Sequence, residues 1–342
     1  MIMSQTFYNT LDPMLESFRG KKVFLVCGSS FDRLEIASAI NRLDPVRFSA
    51  FSPNPVYEDV CAGVDLFRHS GCNAILAAGG GSALDVAKCI KLFAPMDPGR
   101  NYLQQPFPDS DIPLIAIPTT AGTGSESTRH AVIYYNGEKQ SVSHPGIVPD
   151  IVCLIPSVLA DLPLYQKKCT LMDALCQAIE SWWSVSATEE SIEYSNVAIE
   201  LIKNNWKGYI QSGKHGDQIL LASNYAGRAI NITATTAAHA MSYKLTSLYG
   251  IPHGHAVALA MIEVWSAMLD EEKLQHLFRA FPIDLNWFRD LVSQLELEQP
   301  VSTQRQQDLA VLTASVNPLR LRNNPVTFGS EALRAMYERI VL

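Results

Sequence analysis

The sequence predicts two domains in tandem, an α/β domain with a parallel sheet over residues 1–155 and an all-helical domain over residues 156–342. Three observations predict it. Up to residue 117, short continuous apolar runs alternate with helical stretches. After Pro156, stretches read at helical spacing and β-like runs almost disappear. Between the two regimes lies a stretch marked by Pro149 and Pro156. Strands that are apolar at every position, rather than alternating, belong to parallel sheets covered on both faces. A chain of 342 residues also has the length of about two ordinary domains.

The elements follow in order. Residues 22–27 (KVFLVC) read as a strand stopped by Gly28-Ser29-Ser30, and 33–42 as a helix. Residues 47–52 (RFSAFS) read as a second strand ended by Pro53-Asn54-Pro55, and 56–70 as an amphipathic helix. Residues 74–78 (AILAA) and 114–117 (LIAI) give the third and fourth strands. Helical spacing then covers 158–162, 169–184, 189–205, 217–231, 235–249 and 256–269. A ligand cleft is expected where the two domains meet, a favoured place for binding sites.

Apolar residues make up 47% and charged residues 18%, so the chain can bury a large core without staples. Seven cysteines are scattered without a CxxC pair, which predicts a reducing compartment and no disulfide framework. Residues 1–10 carry no basic region followed by an apolar stretch, and no apolar run reaches 18 residues. A cytoplasmic protein with no membrane partner is expected. The net charge of −7 and the lack of a basic stripe argue against nucleic acid. They leave room for an anionic substrate, because a pocket can be locally basic.

The third strand runs into Gly79-Gly80-Gly81-Ser82-Ala83-Leu84-Asp85. Glycines let backbone approach a ligand, and a helix N-terminus offers N–H groups and a positive dipole end, which suits a pyrophosphate. Ser82 reads as the N-cap, with Asp85 completing a capping box. After the fourth strand, residues 118–126 (PTTAGTGSE) concentrate hydroxyls and glycines suited to phosphate, ribose or carboxamide. Two such loops at carboxyl ends of strands mark the edge where α/β sheets bind ligands, and predict a Rossmann-like dinucleotide domain. Each loop alone is equally readable as a tight turn. In the second half, Asp173 and Gln177 share a helix face four residues apart, and His239 and His253 follow. A carboxylate and two imidazoles suit Fe²⁺ or Zn²⁺ and leave coordination positions for substrate; on spacing alone such residues are more often ordinary structural ones.

Four segments in chain order, GGGSALDVAK at 79–88, PTTAGTGSES at 118–127, MDALCQAIES at 172–181 and HAMSYKLTSLYGIPHGHAVAL at 239–259, resemble the iron-containing (group III) alcohol dehydrogenase family. The resemblance implies a dehydroquinate synthase-like architecture, NADPH or NADH as cofactor, a divalent metal with Fe²⁺ favoured over Zn²⁺, and a homodimer. It implies metal ligands at Asp173, Gln177, His239 and His253, with Gln177 standing where the family usually has His. It implies cofactor contacts at Gly79, Gly80, Gly81, Ser82 and Asp85, at Thr119, Thr120, Thr123 and Ser125, and at Lys139. Gly28, Ser29 and Ser30 occupy the place where NAD-preferring relatives often carry Asp, so NADPH is expected to be accepted. Tyr243, where many relatives have another His, is a candidate to donate a proton, to position substrate or simply to pack, and His130 falls where relatives line the substrate pocket. The expected reaction interconverts a small aldehyde and its alcohol. The MDALCQAIESWW segment resembles the phosphonoacetaldehyde reductases within this family, which implies an anionic aldehyde and makes Arg129, His130, Lys244 and Arg228 candidates to bind it. The alternatives are another small aldehyde or ketone on the same fold, or a metal-free nucleotide-binding pseudoenzyme.

Overall fold

The computed structural model describes residues 5–269, 271, 274 and 278–342; residues 1–4 of the polar N-terminal stretch lie outside it. The chain divides into two compact units, Met1–Leu162 and Pro163–Leu342.

The first unit is built on a six-stranded parallel sheet of β1 (Thr6–Tyr8), β2 (Val23–Cys27), β3 (Val46–Phe48), β4 (Ala74–Gly79), β5 (Leu114–Pro118) and β8 (Ile151–Cys153), in the order β1-β8-β5-β4-β2-β3. Strands β2, β4 and β5 are buried at every residue, as their unbroken apolar sequences require. Helices α1 (Leu11–Glu16), α2 (Ala37–Asn41), α3 (Tyr57–Ser70) and α4 (Gly81–Phe93) connect them. The core joins Phe24 and Ile75 of the sheet to Val64 of α3 and Ile90 and Phe93 of α4, each such side chain contributing about 1.5–3 kcal/mol.

In this unit two expectations change and one element is new. The helix expected over 33–42 is a 3₁₀ turn, Phe31–Arg33, followed by the short α2. The second strand is β3, three residues instead of six, since only Val46–Phe48 pair with β2. An antiparallel hairpin, β6 (His130–Tyr135) with β7 (Glu138–Ser143), stands outside the main sheet. Its turn is Asn136-Gly137, with φ of 52° and 76°, the left-handed pair that a two-residue hairpin turn demands.

The second unit is helical: α5 (Leu164–Trp183), α6 (Glu189–Ser212), α7 (Gly216–Thr233), α8 (Ala237–Tyr249), α9 (His253–Leu269), α10 (Leu285–Gln294), α11 (Arg305–Ser315), α12 (Pro318–Leu321) and α13 (Ser330–Ile340). Helix α5 is buried from Leu171 to Trp183 and packs against α6, α7 and α9. The stretch expected as helix 158–162 is a 3₁₀ turn, Pro156–Leu159. A capping box of Thr188 and Ser191 starts α6. Among the described residues no helix is long and apolar enough to cross a membrane, and all seven cysteines are free thiols.

Candidate active site

The first unit presents three loops on one edge of the sheet. Parallel pairing sets Cys27 beside Ala78 and Gly79 beside Pro118, so the chain leaves β2 at Gly28, β4 at Gly80 and β5 at Thr119 on the same side. From β2 the chain proceeds outward to β3, whereas β4 leads the other way to β5. Ligands bind at the switch point that such a reversal creates.

The two glycine-bearing loops lie against each other. The Thr119 N–H donates to the Gly79 carbonyl at 3.0 Å. A methyl group on Gly81 would come within 2.9 Å of Thr123 Cγ2, and one on Gly80 within 3.3 Å of Thr120 Cγ2. The capping box expected at Ser82 and Asp85 is absent: Gly80 is the N-cap of α4, and no side chain caps it. The reason lies in what Asp85 binds instead. Its Oδ1 accepts the Ser125 hydroxyl at 2.7 Å and its Oδ2 the Val132 N–H at 3.0 Å. Burial raises the Asp85 carboxyl above its ordinary value, with Lys88, Ser125, Val132 and Lys139 pulling the other way. The fully buried Lys88 ammonium donates to Ser125 Oγ at 2.9 Å, Thr128 Oγ1 at 3.1 Å and the His130 carbonyl at 2.8 Å. Burial lowers this lysine to about 8. Asp85 and Lys88 thus tie α4, the Ser125 loop and the hairpin into one support.

Of the other residues singled out by sequence, Gly28, Ser82, Thr119, Thr120, Thr123, His130 and Lys139 are half-buried, Ser125 is buried, and Ser29, Ser30 and Arg129 are exposed. A side chain at Gly28 would meet open space.

In the second unit, Asp173 and Gln177 on α5, His239 on α8 and His253 at the start of α9 come together. One ligand atom each from Asp173, His239 and His253 lie within 4.8 Å of one another. Gln177 Nε2 donates to Asp173 Oδ1 at 3.2 Å. Gly254 lets α9 start there: a methyl on it would sit 1.9 Å from the Cys169 carbonyl oxygen of α5. Glu180, absent from the sequence reading, organises the cluster. Its Oε1 accepts the Thr236 hydroxyl (2.8 Å) and the N–H groups of Ala238 (2.8 Å) and His239 (3.2 Å), capping α8; its Oε2 binds His239 Nδ1 at 2.5 Å. His239 Nε2 is left facing Asp173 Oδ1 at 3.4 Å. Asp173, Gln177 and Glu180 fall at i, i+4 and i+7 of one helix face, which was the signal available for Glu180.

Burial works against a charged His239, yet the charge of Glu180 and the bonds to Asp173 and Glu180 raise it to about 9. Burial likewise presses both carboxyls upward, and interactions led by His239 hold them below their ordinary values. The protein alone therefore keeps two carboxylates around one imidazolium. A carboxylate and two imidazoles in this compass, with one ring oriented by a second carboxylate, fit a divalent transition metal, which would take the place of the proton on Nε2.

Tyr243 stacks parallel to His253, centroids 5.4 Å apart and planes 5° apart. Burial raises its hydroxyl above the ordinary value. The Arg320 guanidinium, also absent from the sequence reading, donates to that hydroxyl at 3.0 Å. Arg228 lies over the rings of Tyr194 and Tyr225, and Lys244 is half-buried on α8.

The sequence matches the family described as iron-containing alcohol dehydrogenase over residues 2–156, and the C-terminal domain described for that family over residues 168–314. It is 31% identical to the probable alcohol dehydrogenase EutG of Escherichia coli, across 93% of this chain and 87% of that protein. It is 30% identical to the phosphonoacetaldehyde reductase of Streptomyces viridochromogenes, across 66% of this chain and 60% of that one. The structure superposes on sulfoacetaldehyde reductase from Bifidobacterium kashiwanohense, solved with NAD⁺, with a TM-score of 0.88 and 26% identity over 99% of this chain and 97% of that chain.

Proposed function

Since the chain belongs to the iron-containing alcohol dehydrogenase family, we propose that it is a metal-dependent aldehyde reductase using NADPH or NADH, with a short aldehyde such as phosphonoacetaldehyde as substrate. The observation that carries the reading is the buried Asp173–His239–His253 cluster with Glu180 holding the His239 ring. When bound, the metal polarises a carbonyl oxygen and the nicotinamide carries the hydride. The protein's own groups do the rest. Asp173, His239 and His253 hold the metal, and Gln177 adds an amide beside Asp173. The glycine run 79–81, with Ser82, Thr119, Thr120, Thr123, Ser125 and Lys139, binds the dinucleotide, while Asp85 keeps the loops in register. Tyr243, whose hydroxyl burial keeps protonated, supplies a proton to the nascent alkoxide on this reading, and His130 is a further candidate to meet the substrate. On this reading residues 1–155 form the cofactor domain and 156–342 the metal and substrate domain. The protein works as a cytoplasmic homodimer, a setting compatible with its free thiols.

Iron and zinc content should be about one atom per chain, and reduction of an aldehyde by NADPH should vanish with chelator and return with metal. A protein that binds neither Fe²⁺ nor Zn²⁺ and turns over no aldehyde would be a nucleotide-binding pseudoenzyme instead.

Cofactor choice has its own test. Substituting Gly28→Asp brings a carboxylate to the place of the adenosine ribose without a clash. The KM for NADPH should rise about tenfold or more through repulsion of the 2′-phosphate, with that for NADH changing less. Equal shifts for both cofactors would remove position 28 from the ribose site.

A further inference from the structure

Building on the aldehyde-reductase reading, we propose that Arg320 is the specificity residue that binds an anionic group on the substrate, and that the aldehyde carries a tetrahedral oxyanion such as a phosphonate or sulfonate. The geometry starts from the metal-binding His253. Its imidazole stacks on Tyr243, and the Arg320 Cζ lies 5.0 Å from the centre of the same tyrosine ring. One aromatic ring therefore separates the carbonyl-binding end of the cluster from a cation.

That cation lacks a counter-ion. Arg320 is half-buried, and among the described residues no carboxylate lies within ion-pair distance of it. Elsewhere in the protein Arg47 pairs with Asp32, Arg334 with Glu338 and Arg339 with Glu263. Withdrawing a guanidinium from water without an anion is unfavourable, and a ligand oxyanion removes that penalty. Among the described residues only Nη1 is engaged by a side chain, the Tyr243 hydroxyl, so Nε and Nη2 remain as the planar fork that grips two oxygens of a phosphonate or sulfonate.

The arginine is also held in advance of binding. Asn317 caps α12 by accepting the Leu319 N–H at 2.9 Å, and Pro318 opens the helix. Asn323, just beyond, donates to the carbonyls of Thr233 (2.7 Å) and Thr235 (3.1 Å) and accepts the Ser184 hydroxyl (2.7 Å). The segment is bolted to the end of α5 and to the turn before α8, so little ordering is left for the ligand to impose. Arg228, by contrast, lies on two tyrosine rings of α6 and α7, and Arg129 is exposed.

The test uses metal-loaded protein, wild type, Arg320→Lys and Arg320→Met. The kcat/KM is measured for phosphonoacetaldehyde, sulfoacetaldehyde and uncharged propionaldehyde, and methylphosphonate binding is measured by calorimetry. In Arg320→Met the preference for anionic over neutral aldehyde should fall at least about tenfold, mainly through KM, and methylphosphonate binding should be lost. Arg320→Lys, which keeps the charge, should show a smaller fall and separates recognition from misfolding. A change of preference below tenfold in Arg320→Met, with both aldehydes losing activity in parallel, would make Arg320 a positioning residue for Tyr243 and overturn the proposal. So would wild-type protein that reduces propionaldehyde but neither anionic aldehyde, an outcome that leaves the reductase reading standing. If the wild type reduces no aldehyde at all, that reading fails, while methylphosphonate binding that depends on Arg320 still upholds the anion site.

Discussion

Gly254→Ala is expected to yield a protein with little bound metal and a lower melting temperature. The added methyl would stand 1.9 Å from the Cys169 carbonyl oxygen and 3.0 Å from Asp173 Cβ. The carbonyl belongs to the backbone of the buried helix α5 and cannot rotate away. Helix α9 must back off, and His253, the preceding residue, moves with it. Overpacking of this kind costs about 1–3 kcal/mol, and the rigid obstacle puts this site at the upper end. A ligand displaced by even half an ångström loses its place in a tight coordination set. Metal analysis after dialysis, together with a thermal melt, checks both effects. Wild-type metal content and an unchanged melting temperature would show that α9 does not depend on this approach to α5.

Glu180→Gln should weaken metal binding by about 10–100-fold while leaving the ligands in place. The amide oxygen can still cap α8 through Thr236, Ala238 and His239, so the helix start survives. What goes is the charge facing His239 Nδ1. That charge fixes which ring nitrogen carries the proton and makes Nε2 a stronger donor. In the metal-free protein the same substitution removes the strongest influence that holds His239 charged, so its pKa falls and the buried Asp173–His239–Glu180 network loses its central ion pair. Competition of Zn²⁺ against a chelator gives the affinity and chemical denaturation gives the stability. An affinity within twofold of wild type would reduce Glu180 to a helix cap.

The sequence disclosed the elements whose signals are local. Continuous apolar runs located β2, β4 and β5, and the glycines and hydroxyls after them marked the loops that the structure brings face to face. Asp173, His239 and His253 were visible as residue types, and the fold supplies their proximity. Strands β1 and β8 were missed because three residues carry no periodicity; β1 becomes a strand by pairing with β8 across more than 140 positions of chain, and β8 is also held by β5. The hairpin was missed despite its Asn136-Gly137 turn, because β7 (EKQSVS) is polar and mostly exposed. Lys88, Glu180 and Arg320 were missed for a different reason. In sequence each is an ordinary charged residue, and its meaning lies in partners 37 to 77 positions away. The Ser82–Asp85 motif misled because Asp85 found stronger partners in Ser125 and Val132 than its own helix end could offer.

Gly28 and Gly254 stand at opposite extremes of tolerance to change. A Cβ at position 28 would meet open space, whereas the space at Gly254 is filled by another helix's backbone. The fold should therefore tolerate substitution at the first and reject it at the second. If position 28 faces the ribose as proposed, a single codon there is enough to trade one nucleotide pool for another without prior stabilising changes, whereas the packing beside His253 leaves no such freedom.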